Sequence, residues 1–187
     1  MRGLIESLLT LTRGDEGAPM EVGRYDLGAV AKEATETAGD AADGRVSVEF
    51  VPGDHEVMAT LDRERILQVA SILLDNAVKY TSDGGSVTVR VQEEDDGVAL
   101  TVTDTGVGIP EDQLPLVFER FFRADAARAE DGVGLGLSIA RQIAEAHGGT
   151  IEARSKVSVG STFVLLLPGH KPGPHLGRRT QETEDPG

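Results

Sequence analysis

Val98-Ala99-Leu100-Thr101-Val102-Thr103-Asp104-Thr105-Gly106-Val107-Gly108-Ile109-Pro110 is the stretch whose reading decides the fold. Side chains alternate along a strand, so Val98, Leu100, Val102 and Asp104 fall on one side, apolar until its last member. The run therefore ends by turning a carboxylate inward. A carboxylate at the edge of an apolar layer is costly without a donor. The two glycines beyond it permit backbone conformations that let a flat ligand come close. Asp and Gly are also ordinary turn residues, so a plain loop start stands beside the pocket-floor reading.

Upstream, Ser86 to Gln92 reads as a partner strand joined through the charged hairpin turn Glu93 to Gly97. Before it, Asp62 caps a long helix to about Tyr80, with Ile66, Val69, Leu73, Ala77 and Tyr80 as its apolar stripe. Ile72, Asn76 and Lys79 are spaced by four and three residues and share the adjoining face. An Asn carbonyl can complete the oxygen shell of Mg²⁺, and a Lys one turn on can meet a phosphate. The alternative is a solvated polar edge beside a core stripe.

Earlier still, Arg45 to Val51 alternates as a strand, with Val46, Val48 and Phe50 on one face, and Glu56 to Leu61 is expected to pair back on it after Pro52-Gly53-Asp54. Asp26 caps a helix to about Ala38 carrying Leu27, Val30, Ala31 and Ala34, and Gly39 to Gly44 reads as a turn. Glu21 to Tyr25 reads as a short strand. Met1 to Arg13 has Leu4, Ile5, Leu8, Leu9 and Leu11 at helical spacing and breaks at Gly14 to Pro19.

Downstream, Phe118-Glu119-Arg120-Phe121-Phe122-Arg123 holds three of the chain's five Phe. It reads as a small satellite core, and its arginines also offer local positive charge to a polyphosphate. Gly132-Val133-Gly134-Leu135-Gly136-Leu137 then opens a helix that stops at His147-Gly148-Gly149. Free N–H groups and the helix dipole suit such an entry to phosphate, and glycine also serves tight helix–sheet packing. It is neither a Walker loop nor a dinucleotide fingerprint. Strands Thr150 to Ser155 and Ser161 to Leu167 close the domain at Pro168.

The whole predicts an α+β fold, a two-layer sandwich whose mixed, mainly antiparallel sheet is covered on one face by about three helices. Residues 1–19 form a helix end and linker, 20–168 the domain, and 169–187 a polar, mobile tail. The chain has 187 residues, 39% of them hydrophobic, enough for one substantial core. Its formal charge of -14, from 18 Lys and Arg against 32 Asp and Glu, disfavours a general nucleic-acid or anionic-membrane binder. It has no cysteine, hence no disulfide framework or thiolate metal site, which fits a reducing cytoplasm. No stretch reaches the roughly 18 apolar residues of a membrane span.

Leu73 to Thr81 (LLDNAVKYT), Asp104 to Ile109 (DTGVGI), Phe118 to Arg123 (FERFFR) and Gly132 to Ile139 (GVGLGLSI) resemble, in this order and spacing, the N, G1, F and G2 boxes of the sensor histidine kinase ATP-binding domain. That domain belongs to the GHKL superfamily, whose fold is also called the Bergerat fold. The closing AEAHGGTIEARS and VGSTFVLLLP are similar to the family's last helix and strands. The resemblance covers about Glu21 to Pro168. It implies an ATP·Mg²⁺-binding catalytic domain that transfers the γ-phosphoryl group to a histidine. The implied ligand set is Asn76 for Mg²⁺, Lys79 and Tyr80 on the phosphate and nucleotide side, and Asp104 for the adenine amino group. Gly106, Gly108 and Ile109 would shape the adenine pocket, with Thr162 on the last strand. Arg120 and Arg123 would face the lid or phosphates, and Gly132, Gly134, Leu135, Gly136 and Leu137 would cradle phosphate as part of a mobile lid.

Two departures stand out. The family commonly has Asn or Glu four residues before the magnesium Asn, where this chain has Ile72. None of His55, His147, His170 and His175 fits a phosphoacceptor on a dimerisation helix. The expected partners are therefore a histidine-containing dimerisation domain or partner kinase, with a response regulator downstream. The resemblance leaves two alternatives: an anti-sigma-type serine kinase, disfavoured by Ile72, and a non-catalytic nucleotide-binding module.

Overall fold

The computed structural model describes residues 19–123 and 134–169. Strand β1 (Val22–Asp26) leads into helix α1 (Leu27–Ala42), followed by β2 (Ser47–Val51), β3 (Met58–Asp62) and the long helix α2 (Arg63–Tyr80). Strands β4 (Ser86–Glu94) and β5 (Gly97–Asp104) form a hairpin. A short 3₁₀ turn (Leu114–Leu116) precedes α3 (Gly136–Ala146), and the hairpin of β6 (Thr150–Lys156) and β7 (Gly160–Pro168) closes the fold. The main sheet runs β2-β4-β5-β7-β6, antiparallel except for the parallel β2–β4 pair. The expected mixed, mainly antiparallel sheet with three helices is therefore what forms.

The helices start where their caps are. Asp26 Oδ1 accepts the Gly28 N–H at 2.9 Å, and Asp62 Oδ1 accepts the Arg65 N–H at 3.1 Å. Each satisfies one of the donors a helix start leaves open. Leu27, Val30, Ala31 and Ala34 of α1 and Ile66, Val69, Leu73 and Ala77 of α2 are all buried against the sheet. Tyr80, expected on that stripe, is instead 45% exposed at the end of α2.

Helix α1 continues past Gly39 to Ala42, where a turn was expected. Glycine inside a helix costs about 1 kcal/mol, and burying the methyl of Ala42 beyond it, at about 0.8 kcal/mol per carbon, returns most of that. The stop comes at Asp43 and Gly44, whose φ of 48° and 72° are left-handed.

Strand β3 does not pair back on β2. It pairs antiparallel with β1, Val22 opposite Asp62 and Asp26 opposite Met58, in a separate two-stranded ribbon. The cause is the same Asp26 cap: its Oδ1 also accepts the Val57 N–H at 3.2 Å, and the Leu27 N–H donates to Val57 O at 2.9 Å. These bonds draw the entry of β3 to the exit of β1, while β2 lies in parallel beside β4, Ser47 opposite Ser86.

Candidate adenine and phosphate site

Strand β5 does what its alternation predicts. Val98, Leu100 and Val102 are buried, and Asp104 follows them inward with 6% of its surface exposed. Its Oδ1 accepts two backbone N–H groups, from Gly106 at 2.7 Å and Ser161 at 3.2 Å. Oδ2 has no hydrogen bond among the described residues. Burial pushes the carboxyl above the ordinary aspartate range, and the two backbone donors pull it part of the way back. The result is a fixed acceptor set into an apolar wall.

The glycines after Asp104 are needed for the protein's own packing more than for ligand access. A Cβ on Gly106 would lie 2.5 Å from Tyr80 O. One on Gly108, at φ +71°, would lie 2.2 Å from Lys156 O. The loop is thus clamped between the end of α2, where the Val107 N–H donates to Tyr80 O at 3.2 Å, and the β6–β7 turn, where the Ser158 N–H donates to Val107 O at 2.8 Å. The Ile109 N–H donates to Ser155 Oγ at 2.7 Å, and Ser155 Oγ lies 2.9 Å from Ser161 Oγ. Gly160, whose Cβ would fall 2.0 Å from Asp104 O, lets β7 come close enough for the Ser161 N–H to reach the carboxylate.

Ser161 is the residue that motif reading missed. Thr103 pairs with Thr162 in the β5–β7 register, and their hydroxyls meet at 3.2 Å on the face of the sheet away from Asp104. One residue of register separates the two faces, so Ser161, not Thr162, shares the side of Asp104. The expected nucleotide contact of Thr162 is therefore not placed at the pocket. The signal lay in parity: β7 buries Phe163, Leu165 and Leu167, so Ser161 shares their face.

Asn76 stands half-buried on α2. Its Nδ2 donates to Ile72 O at 2.8 Å, which leaves Oδ1 as the acceptor of the amide. Among the described residues no group of three or more His, Cys, Asp or Glu could hold a metal. One neutral oxygen suits Mg²⁺ only when phosphates and water complete its shell. Gly136 opens α3 directly opposite: a Cβ there would lie 3.3 Å from Ile72 Cγ2 and 4.0 Å from Asn76 Nδ2. The amino end of α3, with no side-chain cap on it, therefore backs onto Asn76. Leu135 is buried and Leu137 half-buried on the core.

Lys79 holds its ammonium 5.8 Å from the centre of the Tyr80 ring, at the exposed end of α2. It also lines an open hollow of about 400 Å³ with Ala38, Ala41, Arg45, Asp75 and Val78. Another hollow, of about 390 Å³, adjoins the β4–β5 turn. Neither contains Asp104 or Asn76, so donor and acceptor chemistry, not the size of a hollow, assigns the site. Phe118 packs edge-on against Phe163 at 6.4 Å and joins the main core, while Phe121 is exposed, so the three Phe do not form a satellite core of their own. Arg120 and Arg123 are exposed. The Phe121 N–H donates to Gly134 O at 2.9 Å, which ties this segment to the entry of α3. Gly132 lies outside the described residues, as do residues 1–18 and the tail from 170 on. No helix among the described residues is long and apolar enough to cross a membrane.

The family model described as histidine kinase-, DNA gyrase B- and HSP90-like ATPase matches residues 61–171. The chain is 40% identical over 127 residues to the sensor histidine kinase WalK of Bacillus subtilis, covering 65% of this chain and 21% of that protein. It is 38% identical over 192 aligned residues to the signal transduction histidine-protein kinase AfsQ2 of Streptomyces coelicolor, covering 100% of this chain and 34% of that one. It thus spans between about a fifth and a third of these curated relatives. Among solved structures, the mycobacterial sensor histidine kinase MprB superposes with a TM-score of 0.71 at 32% identity, covering 79% of this chain and 98% of that one. With its ordered boxes, its inward Asp104 and these likenesses, the chain belongs to the family of histidine kinase-, DNA gyrase B- and HSP90-like ATPases.

Proposed function

We propose that this domain binds ATP with Mg²⁺ and positions the γ-phosphoryl group for transfer to a histidine on a dimerisation domain, as the catalytic part of a two-component sensor kinase. The observation that carries the reading is Asp104, whose Oδ1 is held by two N–H groups while Oδ2, among the described residues, remains an unpaired acceptor in an apolar wall. Adenine offers an amino donor there. Guanine offers a carbonyl, which the carboxylate repels, so ATP is favoured over GTP.

Asn76, whose Nδ2 is engaged by Ile72 O, would offer its Oδ1 to the metal, and the N–H groups at the uncapped start of α3 would meet the phosphates. The metal, when bound, supplies positive charge to the phosphate oxygens. Transfer of this kind asks the protein for alignment and charge, not covalent chemistry. The nucleophile comes from elsewhere. His147 has both ring nitrogens engaged, Nδ1 with Ile143 O at 2.7 Å and Nε2 with the Asp62 N–H at 3.0 Å. His55 lies exposed beside Glu93, 3.6 Å away. A response regulator is the onward partner, and the cysteine-free chain fits the reducing cytoplasm.

The test supplies a histidine-bearing dimerisation domain and γ-labelled ATP. Acid-labile phosphate is expected on that domain and none on this chain. Stoichiometric labelling of a histidine in this chain, or no ATP binding at millimolar concentration, would refute the reading.

A further inference from the structure

Gly136 is the first residue of α3, and its φ is not left-handed. Backbone conformation therefore does not demand glycine, and alanine is the better helix former. Space demands it. A Cβ would meet Ile72 Cγ2 at 3.3 Å, tighter than an ordinary carbon contact, with Asn76 Nδ2 at 4.0 Å just beyond.

Ile72 has little freedom to yield. It is half-buried and packed on the core, and a β-branched side chain in a helix holds essentially one χ1 rotamer. Its carbonyl at the same time accepts Nδ2 of Asn76 at 2.8 Å, which leaves Oδ1 as the amide's acceptor. One residue thus contacts both halves of the phosphate end.

We propose that Ile72 is the positioning residue of this end of the site. Its Cγ2 methyl is the stop that sets how closely the amino end of α3 approaches Asn76, and its carbonyl sets which way the Asn76 amide points. The aliphatic side chain is a spacer matched to Gly136, not an omitted polar ligand. The proposal rests on the ATP·Mg²⁺ reading above and adds the residue that sets its geometry.

The experiment is a rescue series on the full chain: wild type, Ile72→Ala, Gly136→Ala, Gly136→Ala with Ile72→Ala, and Gly136→Ala with Ile72→Val. Calorimetry measures Mg·ATP and AMP, and urea unfolding measures stability. Gly136→Ala is expected to weaken Mg·ATP about tenfold or more while leaving AMP within about twofold, because AMP lacks the outer phosphates. Adding Ile72→Ala, which removes Cγ2, is expected to restore Mg·ATP to within about threefold of Ile72→Ala alone. Adding Ile72→Val, which keeps Cγ2, is expected to restore nothing. Unchanged Mg·ATP binding in Gly136→Ala, an equal loss of AMP, or rescue by Val as good as by Ala would each overturn the proposal. A wild type that bound no nucleotide would refute the functional reading. The contact would then be judged on unfolding alone, where additive effects at 72 and 136 overturn it.

Discussion

Replacing Asp104 with Asn tests the base-recognition argument at a single atom. Oδ1 accepts the N–H groups of Gly106 and Ser161, so the amide of an Asn must keep its oxygen there. The reverse orientation would set an NH₂ against two donors. The NH₂ therefore takes the place of Oδ2, and an acceptor becomes a donor while shape is unchanged. Adenine's amino group then meets a donor in a buried site, at a cost of about 1–3 kcal/mol. That corresponds to roughly a 5- to 150-fold weaker Kd at 1.4 kcal/mol per decade. Inosine triphosphate, with oxygen in place of the amino group, should gain relative to ATP. Calorimetry of both nucleotides on both proteins decides the matter: ATP affinity within twofold of wild type, or no relative gain for inosine triphosphate, would refute the reasoning.

The same substitution has a stability signature. Because the folded-state pKa of Asp104 lies above its ordinary 3.8, chiefly through burial, the charged carboxylate burdens the fold at neutral pH and the protonated form does not. Asp104→Asn should therefore stabilise the nucleotide-free protein at pH 7. That advantage should shrink as pH falls through the raised Asp104 range and vanish below about 3.8; urea unfolding showing an advantage independent of pH would contradict it. Gly108→Ala should destabilise by about 1–3 kcal/mol, since φ is +71° and the new methyl would press on Lys156 O; a loss under roughly 0.5 kcal/mol would show that the loop is not clamped as described. His147→Ala should lower stability by about 1–3 kcal/mol, because the N–H of the buried Asp62 loses its acceptor. An unchanged denaturation midpoint would argue that water replaces the ring at no cost.

Local chemistry made much of this protein legible from its residues. The period-two run into Asp104, the Asp26 and Asp62 caps and the spacing of Asn76 before Lys79 all depend on neighbours within a few positions, and each forms as read. The order of the four boxes, DNAVK, DTGVG, FERFF and GVGLG, carried the family. What crosses the chain was not legible. Strand β3 chose β1 over β2 because a side-chain oxygen of Asp26 and the backbone of Leu27 hold Val57, 31 and 30 positions away. The glycines of DTGVG face Tyr80 and Lys156, not open space. Motif reading placed Thr162 at the nucleotide, and the β5–β7 register sets Ser161, not Thr162, on the side of Asp104. A one-residue shift in strand pairing moves every side chain to the opposite face, and pairing between β5 and a strand nearly 60 residues later is decided only when the sheet is assembled. For the same reason Ile72 reads along the chain as a missing polar group, and only the arrival of Gly136 against it makes it a spacer.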